Sequence, residues 1–401
     1  MKKKIAFDML LNIVATAIPT FVLQLLLLPA LSRYMGGEEY GLLVTILALL
    51  NMIPSTFGNV LNNIRLIEGK NEETPQPDFN PLLLILTGIN LVLMTIFTLV
   101  YDKEITLYSL ILVLIVSILL LFREYFTVAF RIKLNYKNIV ISNLIMVVGY
   151  VIGFLLFRAT GRWQYMYIMG YLVSLVFIFI KSELWKEPIV ISTAFKHIGG
   201  QTIMLSIATF LGRITTYADK LLIFPVLGGT VVSVYYAATL FGKVVSMTIN
   251  PISSVMLSYL SKSTKKNNNT FKLAFLSSAT VCIAGYFVCI AISRPVLKLL
   301  YPQFVNEAMQ FIWFTTGTMV ITALISIVNP FVLKFFDMKW QIAINCVYVS
   351  VYVGISMALL SRLGLKGFCI GTLIAAMLKL SFMLYIYNRR SDKENYNGGA
   401  N

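Results

Sequence analysis

The sequence predicts an all-α protein with twelve membrane-spanning helices, and three observations carry that prediction. Of its 401 residues 58% are hydrophobic and only 12% charged, too apolar for a water-soluble globular domain. Apolar stretches of about 20 residues recur along the whole chain, each long enough to cross a hydrocarbon core of about 30 Å as a helix. The Lys and Arg residues collect on alternate connections, as the inner side of a polytopic protein requires.

The first helix is placed at about 9 to 32; its apolar run is too long for a signal peptide and lacks a small-residue cleavage site, so "MKKK" is read as its inner flank. Apolar runs then place helices at about 41 to 64, 80 to 101, 105 to 123, 138 to 157 and 163 to 181. After a polar connection six more follow, at about 197 to 221, 231 to 258, 272 to 293, 307 to 333, 339 to 361 and 366 to 388.

The formal net charge of +16 suggests nucleic acid until the charges are located. Of the 33 Lys and Arg residues, 21 fall on the N-terminal side of the membrane and 9 on the other, which puts both termini in the cytoplasm. The basicity is topological, and no nucleic-acid partner is expected. Three cations remain inside the spans: Arg213, Lys243 and Lys379. Cys282, Cys289, Cys346 and Cys369 show neither metal-ligand spacing nor a pairing pattern and read as small packing residues; the single histidine, His197, reads as interfacial. No metal or cofactor is expected.

The longest polar connections, "EGKNEETPQPDFN", "SELWKEPIVISTAFK" and "SKSTKKNNNT", are too short to fold as soluble domains. The middle one follows the sixth helix and divides the chain into an N-terminal lobe (1–181), a cytoplasmic linker (182–195), a C-terminal lobe (196–388) and a cytoplasmic tail (389–401). An internal echo supports two halves: "MGGEEYGLL" from Met35 and "LGGTVVSVY" from Leu227 share a Gly-Gly pair offset by 192 residues, each between the first and second helix of its half. Six helices per half make the repeat parallel.

Polar residues form stripes on those same helices. In the seventh, Thr202, Ser206, Thr209, Arg213, Thr216 and Lys220 step by three or four, which is one helical face. The eighth carries Tyr236, Thr239, Lys243, Ser246, Asn250 and Ser253; the first carries Asp8, Asn12, Thr16, Thr20 and Gln24; the second carries Asn51, Ser55, Asn59 and Asn62. Neutral polar residues at such positions also serve as hydrogen-bonding contacts between helices, and both readings stand for each of them. Arg213 and Lys243 are different, because a charge at the bilayer centre costs about 2.5 to 3.5 kcal/mol even on the lenient insertion scale. No carboxylate lies at their depth, so they imply a hydrated cavity of positive potential that attracts anions. Lys379, on a helix without a stripe, is equally readable as cavity cation or local structural group.

The order and spacing of several loose motifs resemble the Wzx-type polysaccharide flippases of the multidrug/oligosaccharidyl-lipid/polysaccharide (MOP) exporter superfamily. "LSRYMGGEEYGLL" is similar to that family's turn after helix one. "TFGNVLNNIRLIEG" is similar to its helix-two ending, with Gly58 and Arg65 matching and Ser55 and Thr56 in the region of an acidic residue. "YADKLLIFPVLGGTVVSVYYAA" resembles the helix-seven stretch, with Asp219 and Lys220 at an acid-base pair and Tyr235 at the tyrosine. "RPVLKLLYPQFVNEA" resembles the segment after helix nine, with Pro302 where a Gly is usual, and "LGLKGFCIGTLIA" the start of helix twelve.

The resemblance implies a V-shaped pair of six-helix lobes whose helices one, two, seven and eight line a central cavity. It implies a transporter of the bacterial inner membrane that flips an undecaprenyl-pyrophosphate-linked oligosaccharide by alternating access, for O-antigen, capsule or exopolysaccharide synthesis. It further implies a functional monomer, with a polysaccharide polymerase and a chain-length regulator as partners. Arg213 and Lys243 then contact the anion. Arg65, Arg123 and Lys220 near the cavity mouths read either as guides for the headgroup or as ordinary interfacial charges. Asn12, Thr16, Thr20, Gln24, Asn59, Asn62, Thr209, Thr216, Tyr236 and Asn250 are the expected polar lining. Asp219 or Asp8 exchanging a proton, or membrane potential alone, supplies the energy. A cation-coupled multidrug exporter of the same superfamily is the alternative, weakened by the missing mid-membrane carboxylate. A membrane polysaccharide polymerase or ligase is weakened by short outer loops.

Overall fold

The computed structural model describes residues 17–68, 78–243, 245, 256, 268–336 and 338–388. Asp8, Asn12, Thr16 and Asn250, with Ser246 and Ser253, lie outside the described residues. Those that are described form helices and short connections, giving an all-α polytopic membrane protein. Nine continuous helices among them are long and apolar enough to cross a membrane, and the shorter Ala17–Ser32 precedes them.

The helices are α1 (Ala17–Ser32), α2 (Gly37–Glu68), α3 (Phe79–Tyr101), α4 (Leu107–Ile132), α5 (Tyr136–Thr160) and α6 (Gln164–Lys181). The continuous element Phe195–Ala238 breaks at Gly228, whose φ of 80° suits a residue without a Cβ; it is α7 (195–227) and α8 (from 229 to 243, through a turn at Thr239). Then come α9 (Asn268–Leu300) and α10 (Ile312–Phe335). Met338–Asn388 breaks at Gly364, φ 60°, into α11 (338–363) and α12 (365–388). Among the described residues twelve segments fall at the twelve expected places, α1 and α8 only in part. Both halves of the Gly-Gly echo sit at such a boundary, since Gly36, with extended backbone, caps α2 and Gly228 separates α7 from α8.

By contacts the chain divides into two compact units between Pro225 and Val226, in the last turn of α7. In unit 1, α5 lies along α6, and α4 packs on both α6 and the second part of α2. Lipid is as apolar as Leu, so these contacts rest on close approach and hydrogen bonds rather than on escape from water. Gly149 and Gly153, one turn apart on α5, provide the approach: a Cβ on Gly153 would stand 2.5 Å from the Met166 Cα and the Tyr165 carbonyl of α6. Buried hydrogen bonds add to it, from Asn90 to Ser117 (3.0 Å) and between Ser142 and Ser174 (2.8 Å). Gly153→Ala is therefore expected to destabilise the protein by about 1 to 3 kcal/mol through overpacking. Gly88→Ala, where a Cβ meets nothing within 4 Å, is the control, and thermal unfolding in detergent compares the two.

In unit 2, α9 packs on α10 and α10 on the α11–α12 element. The Phe271 ring of α9 stacks on Tyr387 of α12 at 3.8 Å, within a core that includes Phe331, Phe335 and Met383. Gly367 and Gly371 allow a close approach, Gly371 lying against the Ser356 backbone of α11.

Candidate functional site: a broken helix and its arginine

The second helix cannot run straight. Pro54 has no N–H to give the carbonyl four residues back, and its ring crowds the turn before it. The backbone breaks at Ile53 (φ −92°, ψ −75°), leaving α2 in two helical parts, Gly37–Met52 and Pro54–Glu68. Polar side chains gather on the far side of the break, where the Asn59 amide donates to the Ser55 carbonyl at 2.8 Å.

Arg213 reaches this break from α7. Its Nη1 donates to the Asn51 carbonyl and, at 2.9 Å, to the Ser55 hydroxyl. The stripe on α7 explains why it points there: Thr202 and Ser206 are buried and Thr209 and Arg213 half-buried, whereas Ile203, Met204 and Ile207 on the other side are well exposed. A soluble helix would be oriented the opposite way; a helix in lipid turns its polar face inward. The Phe57 and Phe210 rings lie beside the same crossing at 6.4 Å. Thus the predicted stripes of the second and seventh helices meet, and Arg213 is the group that joins them. Both of these acceptors are neutral oxygens.

The other expected cations are held in different ways. Lys220 is buried and ion-paired with its neighbour Asp219 through both carboxylate oxygens (2.6 and 2.7 Å), so those two residues engage each other. In unit 2 the Lys243 ammonium stands 2.8 Å from the centre of the buried Tyr236 ring, a cation–π contact. Lys379 of α12 lies over the Tyr348 ring of α11 at 4.3 Å and donates to Asn345 Oδ1 at 3.3 Å.

Arg65 and Arg123, placed by the sequence at cavity mouths, are turned into unit 1. Arg65 donates twice to Glu187 (2.6 and 2.7 Å) and once to the Tyr125 hydroxyl (2.6 Å). Arg123 donates to Ser174 (3.2 Å), to Asn143 and to Glu124 (3.0 Å). Asn62 is likewise engaged, donating to the Glu124 carbonyl (2.8 Å) and accepting from Arg131 (2.5 Å). Of the expected lining, Asn59 and Thr209 are half-buried, Tyr236 is buried and Thr216 is exposed; Thr20 and Gln24 are half-buried on α1.

Three solved structures share this arrangement of helices. Lipid II flippase MurJ, in an inward closed conformation, superposes with a TM-score of 0.73 at 14% identity, covering 96% of this chain and 87% of that one. An inward-facing multidrug resistance MATE transporter of the MOP superfamily gives 0.65 at 14% identity, over 97% of this chain and 100% of that one. An outward-facing MATE transporter gives 0.60 at 13% identity, over 95% of each chain. The chain has the fold of these flippase and MATE transporter structures. No protein-family model matches the sequence, and no curated protein matches it.

Within this fold, the α1–α2 and α7–α8 boundaries carry the Gly-Gly echo, and the described residues of the polar stripes lie on those helices. Two contributors were missed by sequence reasoning. Arg131 bonds both Asn62 and Asn63, and it sits among basic residues that look interfacial. Glu187, the partner of Arg65, lies in a connection with no periodic signal. The α5 glycines were readable, since small residues four apart in an apolar run mark a close helix crossing.

Proposed function

We propose that this chain moves an undecaprenyl-pyrophosphate-linked oligosaccharide from the cytoplasmic to the outer leaflet of a bacterial inner membrane by alternating access, supplying O-antigen, capsule or exopolysaccharide synthesis. Arg213 is the observation that carries the reading. It is a permanent cation near the middle of a membrane-spanning helix, and the groups it bonds among the described residues are a carbonyl and a hydroxyl. Neutral partners orient the guanidinium without cancelling its charge, so an anion approaching it gains the full attraction. The planar fork suits two phosphate oxygens at once. Sharing a fold with a lipid II flippase supports a lipid-linked substrate.

The MATE neighbours favour a second reading, drug export. Against it, Asp219, the carboxylate of α7, is already neutralised by Lys220. The Arg213 charge also repels a cationic drug.

The test is translocation in proteoliposomes. Purified protein is reconstituted with a polyprenyl-pyrophosphate-linked oligosaccharide whose sugars are reachable by a lectin only on the outer face. The expected result is protein-dependent movement of the glycan between leaflets. Movement of a cationic dye with none of the glycan would overturn the reading in favour of drug export.

A further inference from the structure

The connection between α6 and α7, residues 182–194, is built inside out. Two of its polar residues, Glu187 and Ser192, are tied into unit 1. The Glu187 carboxylate takes Arg65, the Glu187 carbonyl accepts from Asn80 at 2.7 Å, and Ser192 donates through its N–H (2.7 Å) and hydroxyl (2.5 Å) to the buried Asp78. Its apolar groups face away from the protein: Trp185 is 47% exposed, Ile189 65%, Val190 52% and Ile191 65%. A loop bathed in water is expected to do the reverse. Yet these contacts pin the segment firmly, so the outward set is held outward rather than left to collapse.

A second observation lies beside it. Leu134, in the α4–α5 turn, has a φ of 49° and is 67% exposed. The turn closes with Asn135 N–H donating to the Phe130 carbonyl at 2.8 Å, the place in a helix ending where glycine is usual because a Cβ is disfavoured there. This turn lies near the start of the linker: Phe130, in the last turn of α4, meets Phe177 of α6 at 6.1 Å, and the charge of Lys133 reaches Glu183. Glu183 is held below the usual carboxylate range first by its hydrogen bond to Lys186 and then by the charges of Lys186 and Lys133. An exposed leucine is thus placed, at a backbone cost, next to an exposed apolar linker with lysines among them.

The position says what covers this surface. The linker leaves α6 at Lys181 and joins α7 at Phe195, so both its ends are at membrane-spanning helix termini, and its anchor Asp78 precedes α3. The ends of membrane-spanning helices fall near the boundary between headgroups and acyl chains. The indole N–H of Trp185 donates to the Phe179 carbonyl at the end of α6 (3.2 Å), which fixes the ring at that level, and the Lys186 ammonium lies over the ring at 5.7 Å. An amphipathic aromatic at the interface, apolar neighbours and flanking cations are the chemistry of an anionic membrane surface.

We propose that the α6–α7 linker, together with Leu134, is a membrane-surface anchor: Trp185 and Ile189 to Ile191 enter the acyl boundary of the adjoining leaflet, and Lys133 and Lys186 take anionic phospholipid headgroups. The charge bias makes that leaflet the cytoplasmic one. The anchor is independent of what the chain transports.

The full chain, reconstituted in vesicles of phosphatidylcholine with phosphatidylglycerol, tests it through the emission of Trp185, taken as the difference between wild type and Trp185→Phe. Lipids brominated near the glycerol end of the acyl chain should remove most of that emission, and aqueous iodide should leave it nearly unchanged. Lys133→Gln with Lys186→Gln should weaken the bromine quenching in anionic vesicles and leave it unaltered in pure phosphatidylcholine. Val190→Trp on the Trp185→Phe background reads the same face from a second position. Quenching by iodide alone would put the linker in water; protection from both quenchers would put it against protein, a second copy included. Either overturns the anchor, and insensitivity to the lysine substitutions overturns its headgroup contacts.

Discussion

Arg213→Ala is expected to lower surface glycan about tenfold to a hundredfold in a host lacking the native gene, the kinetic equivalent of the roughly 1.5 to 3 kcal/mol that a hydrogen bond to a charged group contributes. Membrane expression is to be matched, and the lipid-linked precursor should accumulate on the cytoplasmic side. Arg213→Lys keeps the charge but replaces a planar fork by three donors on a flexible stem. It is expected to fall between wild type and alanine. The guanidinium has two tasks, because it also supplies a donor at the Asn51 carbonyl, in the turn that Pro54 breaks. Pro54→Ala separates them. With an N–H restored, the two parts of α2 can join as one helix, which removes a penalty of about 3 kcal/mol for proline inside a helix. The variant should be more thermostable and yet export less, since straightening α2 moves Asn51 and Ser55 from under Arg213. Full export by all three variants would return Arg213 to a packing role and leave the anion reading without its main support.

The sequence made the helices legible because bilayer thickness dictates run length, and nothing else in the chain competes with that signal. It also showed the stripe through Arg213, since lipid penalises charge enough to force a polar face inward. What it did not show was the partner. Pro54 and Arg213 were each visible, but their meaning arises from a contact spanning 162 residues, and no local periodicity reports such a pairing. Arg65 and Arg123 look like interfacial cations at helix ends by the same logic that locates the termini. Their burial depends on Glu187, Ser174 and Asn143, which come from separate elements. The linker illustrates the converse: "WKEPIVIS" reads as a polar connection with some apolar residues until Asp78, Asn80 and Arg65 fix which side faces in.

Glu187→Ala is expected to destabilise the protein by about 3 to 5 kcal/mol, the range for breaking a buried ion pair from one side. Arg65 is 3% exposed and the Glu187 side chain 14%, so removing the carboxylate strands a guanidinium where water reaches it poorly. The Tyr125 hydroxyl and the Phe79 ring, 5.1 Å from the guanidinium carbon, remain as its partners, and neither carries a compensating charge. Glu187→Gln keeps one acceptor and should lose less. The informative comparison is Arg65→Met with Glu187→Ala, because it removes both charges: if the penalty is mainly the stranded cation, the double variant should be more stable than Glu187→Ala alone, by a coupling of the order of the desolvation cost. Thermal unfolding in one detergent measures all five proteins, Arg65→Met alone included. A double variant as unstable as the sum of its parts would mean that the pair acts through the geometry of the linker. In that case Ser192→Ala, which removes a neighbouring tether and leaves both charges in place, should reproduce much of the loss.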